Sequence, residues 1–381
     1  MPFVLETAEP ASLGFRVETL NRLGRIIEGH IAENRYPGAQ IALARHGKLA
    51  LFKTFGSARL DPNPAPATDD TLWLLYSNTK VITAAAVWVL VEEGALTFHD
   101  RIADHVPDFA RHGKADITLL QVLTHQAGFP GAGMAIPGSA WEDHAELRER
   151  VCDFTLEWTP GSRLEYHRLA AHWVCAVLIE AVTKSDYRDF IHQRVIKPLG
   201  LEGELYVGLP QRENARAADM HGPAEDGKGQ LRFTQENDPA WRRAGIPGAG
   251  GYATARAMVA FYQTLVQGGA LGRARLVSPR MMQYVTRDYT GDRVDQYMGL
   301  PMHRGLGPHS RGTTPNIRGL GSLASPTTFG HGGVGSSYCW ADPETGVSFA
   351  YISNSRVPDP WHSRRLDIVS SHIHAAIEDA K

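Results

Sequence analysis

The stretch YSNTK, Tyr76 to Lys80, runs directly into the eleven-residue apolar segment VITAAAVWVLV, Val81 to Val91. The apolar segment asks for burial, while Ser77 and Lys80, three positions apart, share one face of any helix that begins here. The pair has two readings. In one, Ser77 is a favoured N-cap and Lys80 a solvated first-turn side chain. In the other, Ser77 is a nucleophile with an amine one turn above it, close to the backbone N–H groups and positive dipole end of a helix. Spacing alone does not choose, because 18 Ser and 8 Lys in 381 residues give roughly 0.4 S-x-x-K pairs by chance.

Outward from this stretch the hydrophobic period changes. Leu20, Leu23, Ile27 and Ile31 recur at helical spacing, and AQIALARHGKLALFKTFG then reads as a β-hairpin around Gly47. From residue 69 to about 201 the pattern is helical, over 77–93, 118–128 and 168–183. Beyond Gly245 a Gly-rich segment, PGAGGYATARAMVAFYQTLVQGG, leads to two β-rich runs across DPETG, and Leu366, Val369, Ile373 and Ile377 mark a closing amphipathic helix. Strands at both ends with helices between them imply one antiparallel sheet shared by the termini, an α+β arrangement. The expected units are an α/β subdomain from 10–68 and 246–381 and an all-helical subdomain over 69–245, with 208–245 a polar, loop-rich insertion. A site at their seam is the default expectation.

Composition narrows the partners. Thirty-nine Lys plus Arg against 41 Asp plus Glu, without a run of like charge, leaves no electrostatic footprint for nucleic acid or an anionic membrane, so a small molecule is the expected partner. The longest uncharged apolar stretch is too short to span a bilayer. The start, MPFVLETAEPASLGF, lacks the basic and apolar regions of a secretory signal, so the expected location is the cytoplasm. Cys152, Cys175 and Cys339 are far apart and read as small buried side chains rather than a disulfide framework or zinc site.

Two further segments bear on Ser77 and Lys80. PGSRLEYHRLAAHWV places Tyr166 in a loop just before a helix, and FGHGGVGSSYCW places His331 and its glycines at the start of a strand. S-x-x-K, a mid-chain Tyr-x-x element and a late (H/K)-(T/G)-G strand, in that order, resemble the serine β-lactamase and penicillin-binding protein superfamily, most closely class C β-lactamases and the family VIII carboxylesterases. ITLLQVLTHQAGF and the Gly-rich turn and helix resemble further family segments, so the likeness spans nearly the whole chain. It implies a β-lactamase-like fold and a serine hydrolase that uses no cofactor or metal. It implies Ser77 as the acylated nucleophile, Lys80 and Tyr166 as the activating pair, and His331 as a substrate contact. Gly333 would admit a substrate carbonyl against the strand backbone, and the N–H groups of Ser77 and Val334 would form the oxyanion hole. Lys and Tyr both titrate near 10, and bringing one of them to about 7 corresponds to roughly 4 kcal/mol.

The chain departs from the β-lactamase pattern at Tyr-x-Asn, where Arg168 stands in the Asn position, and at His331 in place of Lys. Both departures favour esters over β-lactams. Two roles are open to Arg168: pairing a substrate carboxylate, or lying beside Tyr166 and favouring its phenolate. Amidase or peptidase chemistry, β-lactam hydrolysis and a catalytically idle binding module remain the alternatives. GHGGVG also matches G-x-G-x-x-G, but it leads into a β-rich run rather than a helix, against dinucleotide binding. No G-x-S-x-G elbow occurs, and the 17 histidines include no H-E-x-x-H.

Overall fold

Residues 4–225 and 229–378 are described by the structure, a computed structural model. Strand β1 (Glu6–Thr7) and helix α1 (Val17–Ala32) lead into β2 (Gly38–Arg45) and β3 (Lys48–Arg59). The turn between them is His46 and Gly47, at φ 52° and 77°. Two central residues in the left-handed region give the two-residue hairpin whose twist suits the flanking strands. Strand β4 (Trp73–Leu74) precedes helix α2 (Thr79–Glu92), and the short α3 (Leu119–Leu123) and the buried α4 (Ala170–Thr183) follow. Then come β5 (Leu205–Val207), β6 (Gly251–Ala253) and α5 (Ala255–Val266). The chain closes with β7 (His309–Ser310), β8 (Phe329–Gly333), β9 (Ser337–Asp342), β10 (Val347–Ser353) and α6 (Trp361–Ala376).

The main sheet runs β1-β3-β2-β10-β9-β8-β7, with Ala65–Pro66 added on β3. Only β1 pairs in parallel; β2 from the first fifth of the chain bonds β10 from the last, with Arg45 opposite Val347. β2, β9 and β10 are buried along their whole length, because helices cover both faces. The period of two shows in which cluster each residue joins. Ala39, Ile41 and Leu43 join Trp340, Phe349 and Tyr351 beneath Leu20, Leu23 and Ile27 of α1 and Leu366, Val369 and Ile373 of α6. Ala42, Ala44, Ala350 and Ile352 face the other way, into the large cluster that includes α5, α2 and α4. The apolar segment noted in the sequence is the centre of that cluster: α2 is apolar all round because every side of it is packed. The glycine-rich β8 turns straight into β9 rather than into a helix, which closes the dinucleotide reading. Cys152, Cys175 and Cys339 are free and buried.

Three local differences from the sequence reading matter. The helix read over 118–128 ends at Leu123, since His125 takes φ 61° and turns the chain beneath the site. The middle region is not helical throughout: β4 and β5 pair antiparallel on either side of β6. The 208–245 insertion holds a hairpin, His221–Pro223 with Gln230–Arg232, and a helix, Pro239–Ala244. Its polar residues are organised around Asp219, whose carboxylate accepts from Arg232 at 2.6 Å and from Arg242 at 2.8 Å. Ion pairs of this kind leave no apolar period to read. No described helix is long and apolar enough to cross a membrane.

Candidate active site

Every residue from Thr71 to Leu90 is buried except Ser77, which is half-buried. Ser77 lies in the 3-10 turn Tyr76–Asn78, one step ahead of α2, and neither it nor Asn78 caps the helix with its side chain. The N-cap reading therefore fails, and the hydroxyl is not spent on helix ends. Tyr76 takes φ 45°, unusual for a side chain of its size. The surroundings hold it there: Tyr76 Oη donates to Glu236 of the insertion at 3.0 Å, and Thr79 Oγ1 donates to the Tyr76 carbonyl at 2.6 Å. Asn78 Nδ2 donates to Ser337 Oγ at 2.8 Å, tying the turn to β9.

Lys80 is fully buried, so the solvated reading fails as well. Its Nζ donates to Ser77 Oγ at 3.1 Å and to the Gly248 carbonyl at 2.7 Å. Burial, and then the Arg304 guanidinium, hold this amine well below the usual lysine range. The loop that supplies Gly248 also accepts from Thr83 Oγ1 through the Pro247 carbonyl at 2.7 Å. That loop is the seat of the amine, and a backbone carbonyl leaves no side-chain signal in sequence.

Lys80 Nζ stands 5.2 Å from the centre of the Tyr166 ring. Tyr166 Oη is buried without a hydrogen bond of ordinary length. Burial pushes the phenol up, while the Ser77 hydroxyl and the Arg304 guanidinium pull it down. The ring is held from several sides. His125 packs edge-on at 4.8 Å and His331 lies at 6.1 Å, centre to centre. Asp295, fully buried, accepts from Tyr166 N at 3.1 Å with Oδ1 and from Arg304 Nη2 at 2.6 Å with Oδ2. The Arg304 guanidinium in turn sits 4.8 Å from the ring centre. Neither Asp295 nor Arg304 was found in the sequence, because each lies about 130 residues from Tyr166 and in no recognisable motif.

His331 donates from Nδ1 to the Gly332 carbonyl at 2.8 Å, which leaves a buried Nε2 lone pair without a partner among the described residues. Burial, with Lys80 and Arg304 nearby, holds the imidazole well below its usual range and hence neutral. Gly333 is pressed on the nucleophile turn: a Cβ there would lie 2.5 Å from the Leu75 carbonyl oxygen. Val334, 53% exposed, follows at the open end, and its N–H holds no backbone hydrogen bond. The structure thus brings Ser77, Lys80, Tyr166, His331, Gly333 and Val334 to one place. Arg168 is different: it is exposed, with its guanidinium 5.6 Å over Tyr297, whose ring is 5.8 Å from that of Tyr166. The guanidinium over the Tyr166 ring is that of Arg304, not that of Arg168.

His144, Glu180 and Asp186 group closely enough to hold a metal ion. Arg188 occupies that place, with Nη2 at 3.1 Å from His144 Nε2 and 2.6 Å from Asp186. The trio is therefore a helix-joining ion-pair knot.

The arrangement has relatives. A putative D-alanyl-D-alanine carboxypeptidase of Escherichia coli is 27% identical, over 94% of this chain and 88% of that one. The esterase/beta-lactamase LipL of Mycobacterium tuberculosis is 28% identical, over 76% of this chain and 70% of that one. Among solved structures, one described as a family VIII carboxylesterase is 28% identical, with a TM-score of 0.79 over 92% of this chain and 96% of that one. The model of the family described as Beta-lactamase matches residues 23–371, and the chain belongs to that family.

Proposed function

We propose that the chain is a serine hydrolase that works through a covalent acyl-enzyme on Ser77, and that its substrates are small carboxylic esters. One observation carries the reading: Ser77, the half-buried residue of a buried run, has its hydroxyl 3.1 Å from the amine of a fully buried lysine. A buried amine with so few partners is costly unless it is used uncharged. In this reading the Lys80–Tyr166 pair takes the proton from Ser77 as Oγ bonds to the ester carbonyl carbon. The carbonyl electron pair moves onto oxygen, which faces the N–H groups of Ser77 and Val334. As that intermediate collapses, the carbon–oxygen bond to the alcohol breaks, and the alkoxide leaves with the proton returned by the pair. Water then repeats the sequence on the acyl-serine, giving the free acid and restoring Ser77. No cofactor enters these steps.

Esters are favoured over β-lactams because the amide that would hold an acylamide group is replaced by Arg168, and because an esterase and a family VIII carboxylesterase are among the similar proteins. The test sets p-nitrophenyl butyrate against a chromogenic cephalosporin. Ester turnover that vanishes in Ser77→Ala is expected, with little cephalosporin turnover; the reverse preference would overturn the choice of esters. Mass analysis after a fluorophosphonate probe should place one adduct on Ser77, and a protein that forms none is a binding module rather than an enzyme.

A further inference from the structure

We infer that Arg304 is a positioning residue that keeps the Lys80–Tyr166 pair one proton short at neutral pH, and that Asp295 opposes it. This rests on the reading of Ser77, Lys80 and Tyr166 as the acylation machinery. The geometry has three parts. The guanidinium stands 4.8 Å from the centre of the Tyr166 ring, and Lys80 Nζ stands 5.2 Å from the same centre. Arg304 is buried, and its one carboxylate partner among the described residues, at 2.6 Å, is Asp295, also buried. That carboxylate's other oxygen accepts from the backbone N–H groups of Tyr166 at 3.1 Å, Tyr297 at 3.1 Å and Met298 at 3.3 Å, so it meets Tyr166 at the far end of the residue from the phenol oxygen. The cation is thus stacked on the ring while the anion grips the backbone.

A fixed positive charge here disfavours an ammonium on Lys80 and favours a phenolate on Tyr166. Whichever of the two holds the shared proton, the charge acts in the same direction. The other groups facing the pair do not substitute for it. Tyr297 packs on Tyr166, and the Ser77 hydroxyl meets both the Tyr166 phenol and the Lys80 amine. The imidazoles of His125, His167, His172, His309 and His331 are all held neutral by burial. Among the described residues the fixed charges around the pair are therefore Arg304, Asp295 and, one ring further out over Tyr297, the exposed Arg168, with Arg318 acting on His309. His331 stands where the resemblance allows a lysine, so Arg304 is the cation that the third motif does not supply.

The experiment is the pH profile of kcat/KM for p-nitrophenyl butyrate between pH 5 and 9. Arg304→Met should move the acid limb up by about one pH unit, a tenfold loss on the acid side, with the alkaline plateau within a few-fold of wild type. Arg304→Lys, which keeps the cation, should bring the limb back. Asp295→Asn should move the limb the other way, to lower pH, and it carries the test alone if Arg304→Met does not fold. A clamp that merely held the ring would lower activity at every pH and leave the limb in place; that result, or a shift of the same sign in Arg304→Met and Asp295→Asn, overturns the inference. If Lys80→Met and Tyr166→Phe themselves leave the limb where it was, the acylation reading fails instead, whatever Arg304 does.

Discussion

Gly333→Ala tests how the strand meets the nucleophile. A Cβ at this position would lie 2.4 Å from Ser337 Oγ, 2.5 Å from the Leu75 carbonyl oxygen and 3.1 Å from Tyr76 Cβ. Ordinary carbon–oxygen contacts begin near 3.3 Å, so the methyl needs about 0.8 Å of extra room. Ser337 Oγ can rotate at the cost of its bond from Asn78. The Leu75 oxygen cannot, because it belongs to the backbone that enters the Tyr76–Asn78 turn, and Leu75 N is itself fixed to the Gly251 carbonyl at 2.8 Å. The relief is for β8 to draw away from the turn, which separates Val334 N from Ser77 N. A misplacement of roughly 1 Å costs about 10²-fold in rate, and loss of one oxyanion donor about 10²–10³-fold. The expected result is a kcat for p-nitrophenyl butyrate lower by about 10²–10³-fold, with an overpacking loss of about 1–3 kcal/mol in urea unfolding. Gly332→Ala is the control on the same strand, since its Cβ would meet the Tyr338 ring at 2.7 Å instead of the turn. It should lose comparable stability and far less kcat. A folded Gly333→Ala protein with kcat within threefold of wild type would refute the claim that this contact sets the oxyanion geometry.

Lys80→Met keeps the length of the side chain and removes a buried amine, so ester turnover should fall by about 10³-fold or more while the urea midpoint stays level or rises; a clear loss of stability would show that the amine is structural. Lys114→Met acts in the opposite way. Lys114 Nζ donates to the carbonyls of Arg111, Cys152 and Phe154 at 2.8, 2.9 and 2.5 Å; the Arg111 oxygen keeps the Lys114 N–H at 3.3 Å, so loss of the amine strands the other two and should cost about 2 kcal/mol or more in urea, with kcat per folded molecule unchanged. Asp219 is raised by burial but lowered further by Arg232 and Arg242, so its folded value lies below the unfolded one. Its contribution is complete above the unfolded carboxylate value near 4 and is lost as pH falls through the folded value. Asp219→Asn should therefore be less stable at pH 7 and should lose less on acidification than wild type, as read by thermal melts from pH 7 to pH 2. Arg168→Ala should leave the pH profile of ester hydrolysis in place, because Arg304, not Arg168, is the guanidinium on Tyr166; a moved acid limb would show otherwise.

What was legible in the sequence is what a repeating period or a local motif can carry. The hairpin at His46-Gly47, the amphipathic faces of α1 and α6 and the shared terminal sheet all follow from apolar spacing over a few residues. That Ser77, Lys80, Tyr166 and His331 lie together was legible because each motif is contained within a few positions, even though 254 positions separate the first from the last. The illegible parts are of two physical kinds. Some are backbone groups, such as the Gly248 carbonyl that seats Lys80 and the positive φ of His125 that ends α3 early. Others are charges whose partners are remote: Asp295 and Arg304 read as one more acid and one more base in an ordinary charge balance, and only folding places both on Tyr166.

The same two kinds explain how an apolar helix comes to present the serine proposed as nucleophile. Ser77 has to sit where the packed run of α2 meets solvent, yet the groups that act on it must stay dry. The Tyr76 turn leaves Ser77 half-buried, while Lys80, three positions on, is wholly buried with its amine 3.1 Å from the serine hydroxyl. Burial alone drives Lys80 and Tyr166 in opposite directions, making the amine easier and the phenol harder to deprotonate. Burial thus decides that the amine loses its proton before the phenol, and leaves the pH at which this happens to the charges around the pair. With a guanidinium stacked on the ring, the phenolate comes closer in energy, so a proton can pass between Ser77, Lys80 and Tyr166 without any of them carrying an unsupported charge through the reaction. In the proposed mechanism it is therefore the Arg304 cation, seated and tempered by Asp295, that lets one dry pocket both accept the serine proton and return it to the leaving alcohol.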